Sequence, residues 1–111
     1  MSPTQYQNAL DALKSAGYTG AVVEFSGGND DGGVNHIVLI NADGNEVARD
    51  YGFAYDNPLG KLLAEPVYDR YYSFAGEFYV EGRVTFDVAA GTVTLQGDEQ
   101  VYDYVGFSEE V

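Results

Sequence analysis

Residues 22–40, VVEFSGGNDDGGVNHIVLI, constrain the fold more than any other part of the chain. An apolar strand, a segment rich in glycine and aspartate, and a second apolar strand follow one another directly. In the first strand (residues 21–25) Val23 and Phe25 point one way, Val22 and Glu24 the other. In the second (residues 34–40) Val34, His36, Val38 and Ile40 share one face, Ile37 and Leu39 the opposite one. Apolar residues on both faces predict that this second strand is central. Residues 26–33 read as the loop between the two. The Asp-Gly pair in residues 41–45 (NADGN) marks a hairpin returning through Glu46, Val47 and Ala48. The chain therefore starts its sheet as an antiparallel meander.

The flanking segments supply helices and more strands. Ser2 as N-cap and Pro3 at the first helical position predict a helix over residues 3–16. Tyr6, Ala9, Leu10 and Leu13 form its apolar stripe, and Gly17 ends it. Residues 51–57 read as an aromatic connector. Pro58 opens a helix carrying Leu59, Leu62 and Leu63. Pro66 either interrupts that helix or starts a separate one with Tyr68, Tyr71 and Tyr72. Period two returns with Val84, Phe86 and Val88, turns at Ala90-Gly91, and continues through Val93 and Leu95. Gly97-Asp98 reads as a further turn into a strand over residues 100–105, with Glu109-Glu110 as an acidic tail. Residues 78–80 read as an extra edge strand. The expectation is a single α+β domain over residues 1–111: an antiparallel sheet of five or six strands packed with an N-terminal helix and a helical insertion near residues 58–74.

Charge narrows the function classes. Eighteen acidic residues against five basic ones give a formal net charge of -13. That is well beyond the roughly 2 to 8 charges that suit a small soluble domain. Such a field repels DNA, RNA and anionic membranes and attracts basic proteins or cations. The basic residues Lys14, Arg49, Lys61, Arg70 and Arg83 are dispersed, so the tyrosines have no positive groove in which to stack bases. The chain has no cysteine, which excludes disulfides, thiolate catalysis and thiolate zinc sites and suits a reducing compartment. No apolar run approaches the roughly 20 residues of a membrane span, and no secretory signal pattern opens the sequence. A soluble cytoplasmic protein is expected.

The segment Gly27, Gly28, Asn29, Asp30, Asp31, Gly32, Gly33 admits three readings. Clustered carboxylates and carbonyls suit calcium, but the twelve-residue ligand spacing and its terminal bidentate Glu are missing. A phosphate-binding loop would need a following Lys and Ser or Thr, and two aspartates would repel phosphate. The plain reading is a wide hairpin loop whose glycines permit unusual backbone angles. His36 reads as a hydrogen-bonded core or semi-core imidazole rather than a base. A hydrolase would need Ser26, His36 and Asp30 to assemble without any nucleophile-elbow sequence. The carboxylate pairs Glu77 with Glu81 and Glu24 with Asp87 are what chance gives at this acidity. No enzyme activity, cofactor or metal is expected. Ten tyrosines remain, several beside carboxylates: Tyr68-Asp69, Tyr79 between Glu77 and Glu81, and Tyr102-Asp103-Tyr104. Tyrosine offers rigid contact area with a hydroxyl, and among acids it can meet Lys and Arg by ion pairing and cation-π contact. The alternative is that they fill the margin of a core without tryptophan.

Residues 24–33 (EFSGGNDDGG) and 76–88 (GEFYVEGRVTFDV) together carry a resemblance. They resemble the glycine- and aspartate-rich segments of a group of small acidic uncharacterised proteins of bacteria, phages and plasmids. The match runs from about residue 20 to 105, with Phe78 or Tyr79 at a tryptophan-like position of that group. The resemblance implies no catalytic residue. At the level of class it is similar to anti-CRISPR and anti-restriction proteins, small acidic inhibitors that occupy nucleic-acid-binding surfaces. The leading expectation is a non-enzymatic acidic binding protein that imitates nucleic acid for a basic nucleic-acid-binding partner. Asp30, Asp31, Asp69, Glu77, Glu81, Asp98, Glu99 and Asp103 would present charge, and Tyr68, Tyr79 and Tyr102 contact area. A calcium-dependent binding module at Asn29, Asp30 and Asp31 is the second reading, and a small hydrolase around His36 the third.

Overall fold

The computed structural model describes residues 4–28, 31–71, 74, 79–100 and 104–111. Among them lies one antiparallel sheet of β1 (Tyr18–Gly28), β2 (Asp31–Asn41), β3 (Glu46–Asp50), β4 (Tyr79–Asp87), β5 (Thr92–Gln100) and β6 (Tyr104–Glu110). The strand order is β3-β2-β1-β4-β5-β6. Helix α1 (Gln7–Ser15) precedes the sheet, and α2 (Tyr51–Asp56) and α3 (Pro58–Tyr71) link β3 to β4. This is the expected α+β architecture, with its N-terminal helix and helical insertion.

Period-two alternation decides which face is covered. Ala21, Val23 and Phe25 of β1, Val80, Val84 and Phe86 of β4, and Val93 and Leu95 of β5 are all buried. They form one core with Leu10 and Leu13 of α1 and with Leu63, Ala64 and Val67 of α3. Each buried Val, Leu or Phe among them stabilises the fold by about 1.5–3 kcal/mol. In β2 the alternation breaks. Glu24 opposes His36 while Phe25 opposes Val34, so Asn35 is an extra, bulged residue. The bulge turns Val34 inward beside Ile37 and Leu39, and leaves His36, Val38 and Ile40 on the other face. Unbroken alternation had put Val34 with His36, and the structure corrects it.

The glycine-rich segment is not a wide loop. The ladder continues through Ser26↔Gly33, Gly27↔Gly32 and Gly28↔Asp31, which leaves only residues 29–30 between the strands. The glycines are explained by the aromatic rings that lie on them. A Cβ on Gly27 or on Gly32 would stand 2.8 Å from Cγ of the buried Phe74. In the next row Phe25, Gly82, Gly97 and Phe107 are successive partners across four strands. A Cβ on Gly82 would stand 2.8 Å from the Phe25 ring. Tyr71 joins this layer, its ring centroid 5.6 Å from that of Phe25 and stacked at 5.3 Å on Phe74. Glycine on the sheet thus makes room for rings between sheet and α3, an aromatic-over-glycine arrangement.

Six further expectations are corrected. Helix α1 starts at Gln7, with Tyr6 as an N-cap that lacks a side-chain bond, and the anticipated Ser2 and Pro3 lie outside the described residues. The Tyr6 hydroxyl is instead drawn to Asp69, and the Tyr6 N–H donates to the Thr4 hydroxyl. Residues 51–56 are helical, because the Asp50 carboxylate accepts from the Gly52 N–H at 3.0 Å and caps α2. Helix α3 runs through Pro66. The ring removes the donor that would reach the Leu62 carbonyl, but Leu63, Ala64, Pro66 and Val67 are all buried, which holds both halves on the core. Gly97-Asp98 does not turn: β5 continues to Gln100, and Glu109-Glu110 belong to β6 rather than to a tail. Tyr79 and Val80 open β4 and do not form a separate edge strand, and residue 78 lies outside the described set. Among the described residues no helix is long and apolar enough to cross a membrane.

Candidate functional site

The helices lie on one face of the sheet, and no described element covers the other. Side chains reach that open face in rows across the strands. One row takes a residue from every strand: Asp50, His36, Glu24, Arg83, Gln96 and Ser108. The next row towards the β1–β2 turn holds Ser26, Glu81, Asp98 and Gly106. Between them lies a shallow trough of about 720 Å³, lined by Glu24, Ser26, Asn35, Glu81, Arg83, Gln96, Asp98 and Ser108, among others. Towards the far end the face turns apolar, with Val38, Val22, Thr85 and Thr94 in one half-buried row.

The trough is acidic and rich in hydrogen-bonding groups. Glu24, Glu81 and Asp98 supply three carboxylates, and Arg83 is the one basic side chain among its lining residues. Nε2 of His36 lies 2.6 Å from Oε2 of Glu24, with the two side chains 43% and 45% exposed. The Asn35 amide donates to the Ser26 hydroxyl at 3.0 Å, so the bulge residue is tied back to β1. The Tyr79 hydroxyl donates to Glu81 at 2.9 Å. Chemically this surface accepts hydrogen bonds and attracts cations. Ser26 engages Asn35, and His36 engages Glu24, so no serine–histidine pair is formed among the described residues; Asp30 lies outside them. The expected hydrogen bond of His36 is present, and its half-buried ring lies on the open face with Val38 and Ile40. Glu24 faces Arg83 while Asp87 faces Gly20, so Glu24 and Asp87 are not a carboxylate pair.

The residues expected to meet a partner divide between the two faces. Tyr79, Glu81 and Asp98 belong to the open face, and Asp31 stands at the base of the β1–β2 turn. Tyr68, Asp69 and Glu99 are used on the helix side. The Tyr68 hydroxyl lies 2.8 Å from that of Tyr55 and accepts from the Val34 N–H at 3.4 Å. Burial, helped by the bond to Tyr55, pushes its pKa up to about 12. Asp69 accepts from the Tyr6 hydroxyl at 2.8 Å. Glu99 accepts from the Tyr71 hydroxyl at 2.7 Å and pairs with Arg70, which also pairs with Glu109 and lies 4.8 Å from the Phe107 ring centroid. These contacts fasten α3 to β5 and β6. Asp30, Glu77, Tyr102 and Asp103 lie outside the described residues, as does Asn29. Among the described residues no group of three or more His, Cys, Asp or Glu could hold a metal ion. Sequence reasoning missed Glu24, Asn35, Arg83 and Gln96 as trough residues. The signal was available for Glu24, whose outward alternation between Val23 and Phe25 was legible, but its neighbours depended on strand register.

No family model, curated protein or solved structure matches this chain.

Proposed function

We propose that this chain is a non-enzymatic, cytoplasmic acidic binding protein. It receives a basic nucleic-acid-binding protein on the open sheet face and thereby competes with that partner's nucleic acid. The supporting observation is the trough, where three carboxylates surround one guanidinium on a face that no described helix covers. Glu81 and Asp98 are direct neighbours on adjacent strands, whose spacing is about 5 Å. Two carboxylates so placed suit the planar fork of an arginine or a pair of lysines. The net charge of -13 adds a long-range field that speeds encounter with a basic surface. The half-buried Val22 and Val38 beside the trough supply apolar contact area. The absence of cysteine agrees with a reducing compartment.

The test is binding of a purified basic protein first captured on this chain from host lysate. Its dissociation constant is measured at low salt and at about 0.5 M, where exposed charges are screened within a few ångströms. Glu81→Gln with Asp98→Asn is expected to weaken binding roughly tenfold. Asp11→Asn with Glu65→Gln removes the same charge from the helix side and is expected to change it little. The partner's affinity for nucleic acid should fall when this chain is bound. Equal losses from both charge pairs, or undisturbed nucleic-acid binding by the partner, would overturn the reading.

A further inference from the structure

The sheet has two edges, β3 and β6, and they differ in how they meet another strand. An edge strand offers unpaired N–H and C=O groups to any chain that can align with it, and charges or shortness discourage that. Which groups point outward follows from the ladder. The Val111 N–H donates to the Val93 carbonyl at 2.8 Å and so faces β5, while the terminal Val111 carbonyl accepts from the Gln5 N–H at 3.2 Å. By alternation the N–H and C=O groups of Glu109, Phe107 and Val105 face β5 as well. The groups of Glu110, Ser108, Gly106 and Tyr104 then point away from the sheet. On the other edge the Asn41 N–H donates to the Asn45 carbonyl, which by the same alternation leaves Glu46, Ala48 and Asp50 facing outward on β3.

Consider each edge against a second copy of itself, antiparallel. The register that pairs all of β3 centres on Ala48 and sets Glu46 opposite Asp50 twice. Like charges directly opposed across a ladder are destabilising. The register that pairs all of β6 centres on Phe107. It sets Gly106 opposite Ser108 and Tyr104 opposite Glu110, joining outward groups to outward groups as an antiparallel ladder requires. On the helix side it sets Phe107 opposite Phe107 and Val105 opposite Glu109, so no acid meets an acid. Val105 is 64% exposed, and β6 carries neither proline nor lysine to block pairing. Arg70, held over Phe107 and paired with Glu109, brings a cation to the seam that offsets the two carboxylates nearest to it.

We infer that β6 is a self-pairing edge, through which two copies of this chain join antiparallel about a two-fold axis at Phe107 to make one continuous sheet. This goes beyond the proposed partner site and does not depend on it, because the open face stays open in the pair. A seam of one short strand is small, so the association is weak and belongs in the micromolar range.

Sedimentation velocity from about 5 to about 500 µM, at low salt and at about 0.5 M, reads it directly. A monomer–dimer equilibrium that tightens with salt is expected, because screening relieves the repulsion between two strongly acidic copies. Partner binding on the open face should loosen with salt, so the two ideas fail separately. Val105→Lys faces Glu109 of the second copy twice and is expected to tighten the dimer about fivefold, and Val105→Glu to weaken it by a similar factor. Both substitutions are at an exposed site and leave the fold intact, which circular dichroism checks. Ala48→Glu on β3 should leave the equilibrium unchanged. A monomer at every concentration and salt, or Val105→Lys and Val105→Glu acting in the same direction, would overturn the inference.

Discussion

At the scale of single residues, the glycines and tyrosines carry most of the specification. Gly82→Ala would drive a methyl group into the Phe25 ring and the Gln96 carbonyl. Overpacking of this kind costs about 1–3 kcal/mol, which urea denaturation would show as a lower midpoint at unchanged slope. Gly44→Ala makes a useful contrast. Nothing lies within 4 Å of its Cβ position, but its φ of 82° is left-handed, so the loss should stay near 1–2 kcal/mol. That glycines cluster here was plain in the sequence. Their purpose was not, because the ring over Gly27 and Gly32 comes from Phe74, far along the chain. The buried phenols make a separate prediction. Burial raises the pKa of Tyr6, Tyr68 and Tyr71 above the ordinary 10.0, and hydrogen bonds to Asp69, Tyr55 and Glu99 add to it. A folded-state pKa above the unfolded one stabilises the fold fully below pH 10 and less as pH climbs through and beyond 12. Urea midpoints should therefore be flat from neutral pH to about 10 and fall beyond it. Tyr71→Phe, which withdraws a donor from Glu99, should lower stability by about 1–2 kcal/mol at neutral pH and flatten the alkaline fall.

At the scale of elements, strands were easier to read than their joints. Alternation in residues 21–25 and 84–95 grouped Val23 with Phe25, Val84 with Phe86, and Val93 with Leu95, and all six are buried, because each strand has one covered and one open side. The Asn35 bulge escaped notice because one inserted residue leaves composition unchanged while reversing every later orientation. Gly97-Asp98 looked like a turn for a local reason, and the long-range pairing of Gly97 with Gly82 overrode it. Helix α2 was missed because residues 51–57 were read as an aromatic connector, although an Asp two residues before a glycine N–H is a capping signal. Asp50→Ala should cost about 1 kcal/mol, and amide hydrogen exchange should report the loss first in residues 52–56. The open face shows the same limit. Which acids share a surface depends on register across six strands, and a single sequence carries no register between distant strands.

At the scale of the whole molecule, a net charge of -13 on a chain of 111 residues opposes compaction through self-repulsion. Raising salt from low to about 0.5 M should increase the melting temperature by several degrees, since about 1 kcal/mol corresponds to roughly 4–8 °C at this size. The strand order has a consequence of its own for how the molecule assembles. Five ladders hold the sheet, and four of them join strands that are consecutive in the chain. The exception is β1 with β4, which pairs residues 20–28 with residues 79–87 across both α2 and α3. Two three-stranded meanders can thus form early from nearby contacts, while their union must wait for a long loop to close. Weakening a meander at Leu39 or Val93 with alanine should slow refolding in stopped-flow experiments, because those contacts precede the union. The same change at Val23 or Val84, in the union, should instead mainly accelerate unfolding. The central seam of the finished sheet would then be the last part of it to be made.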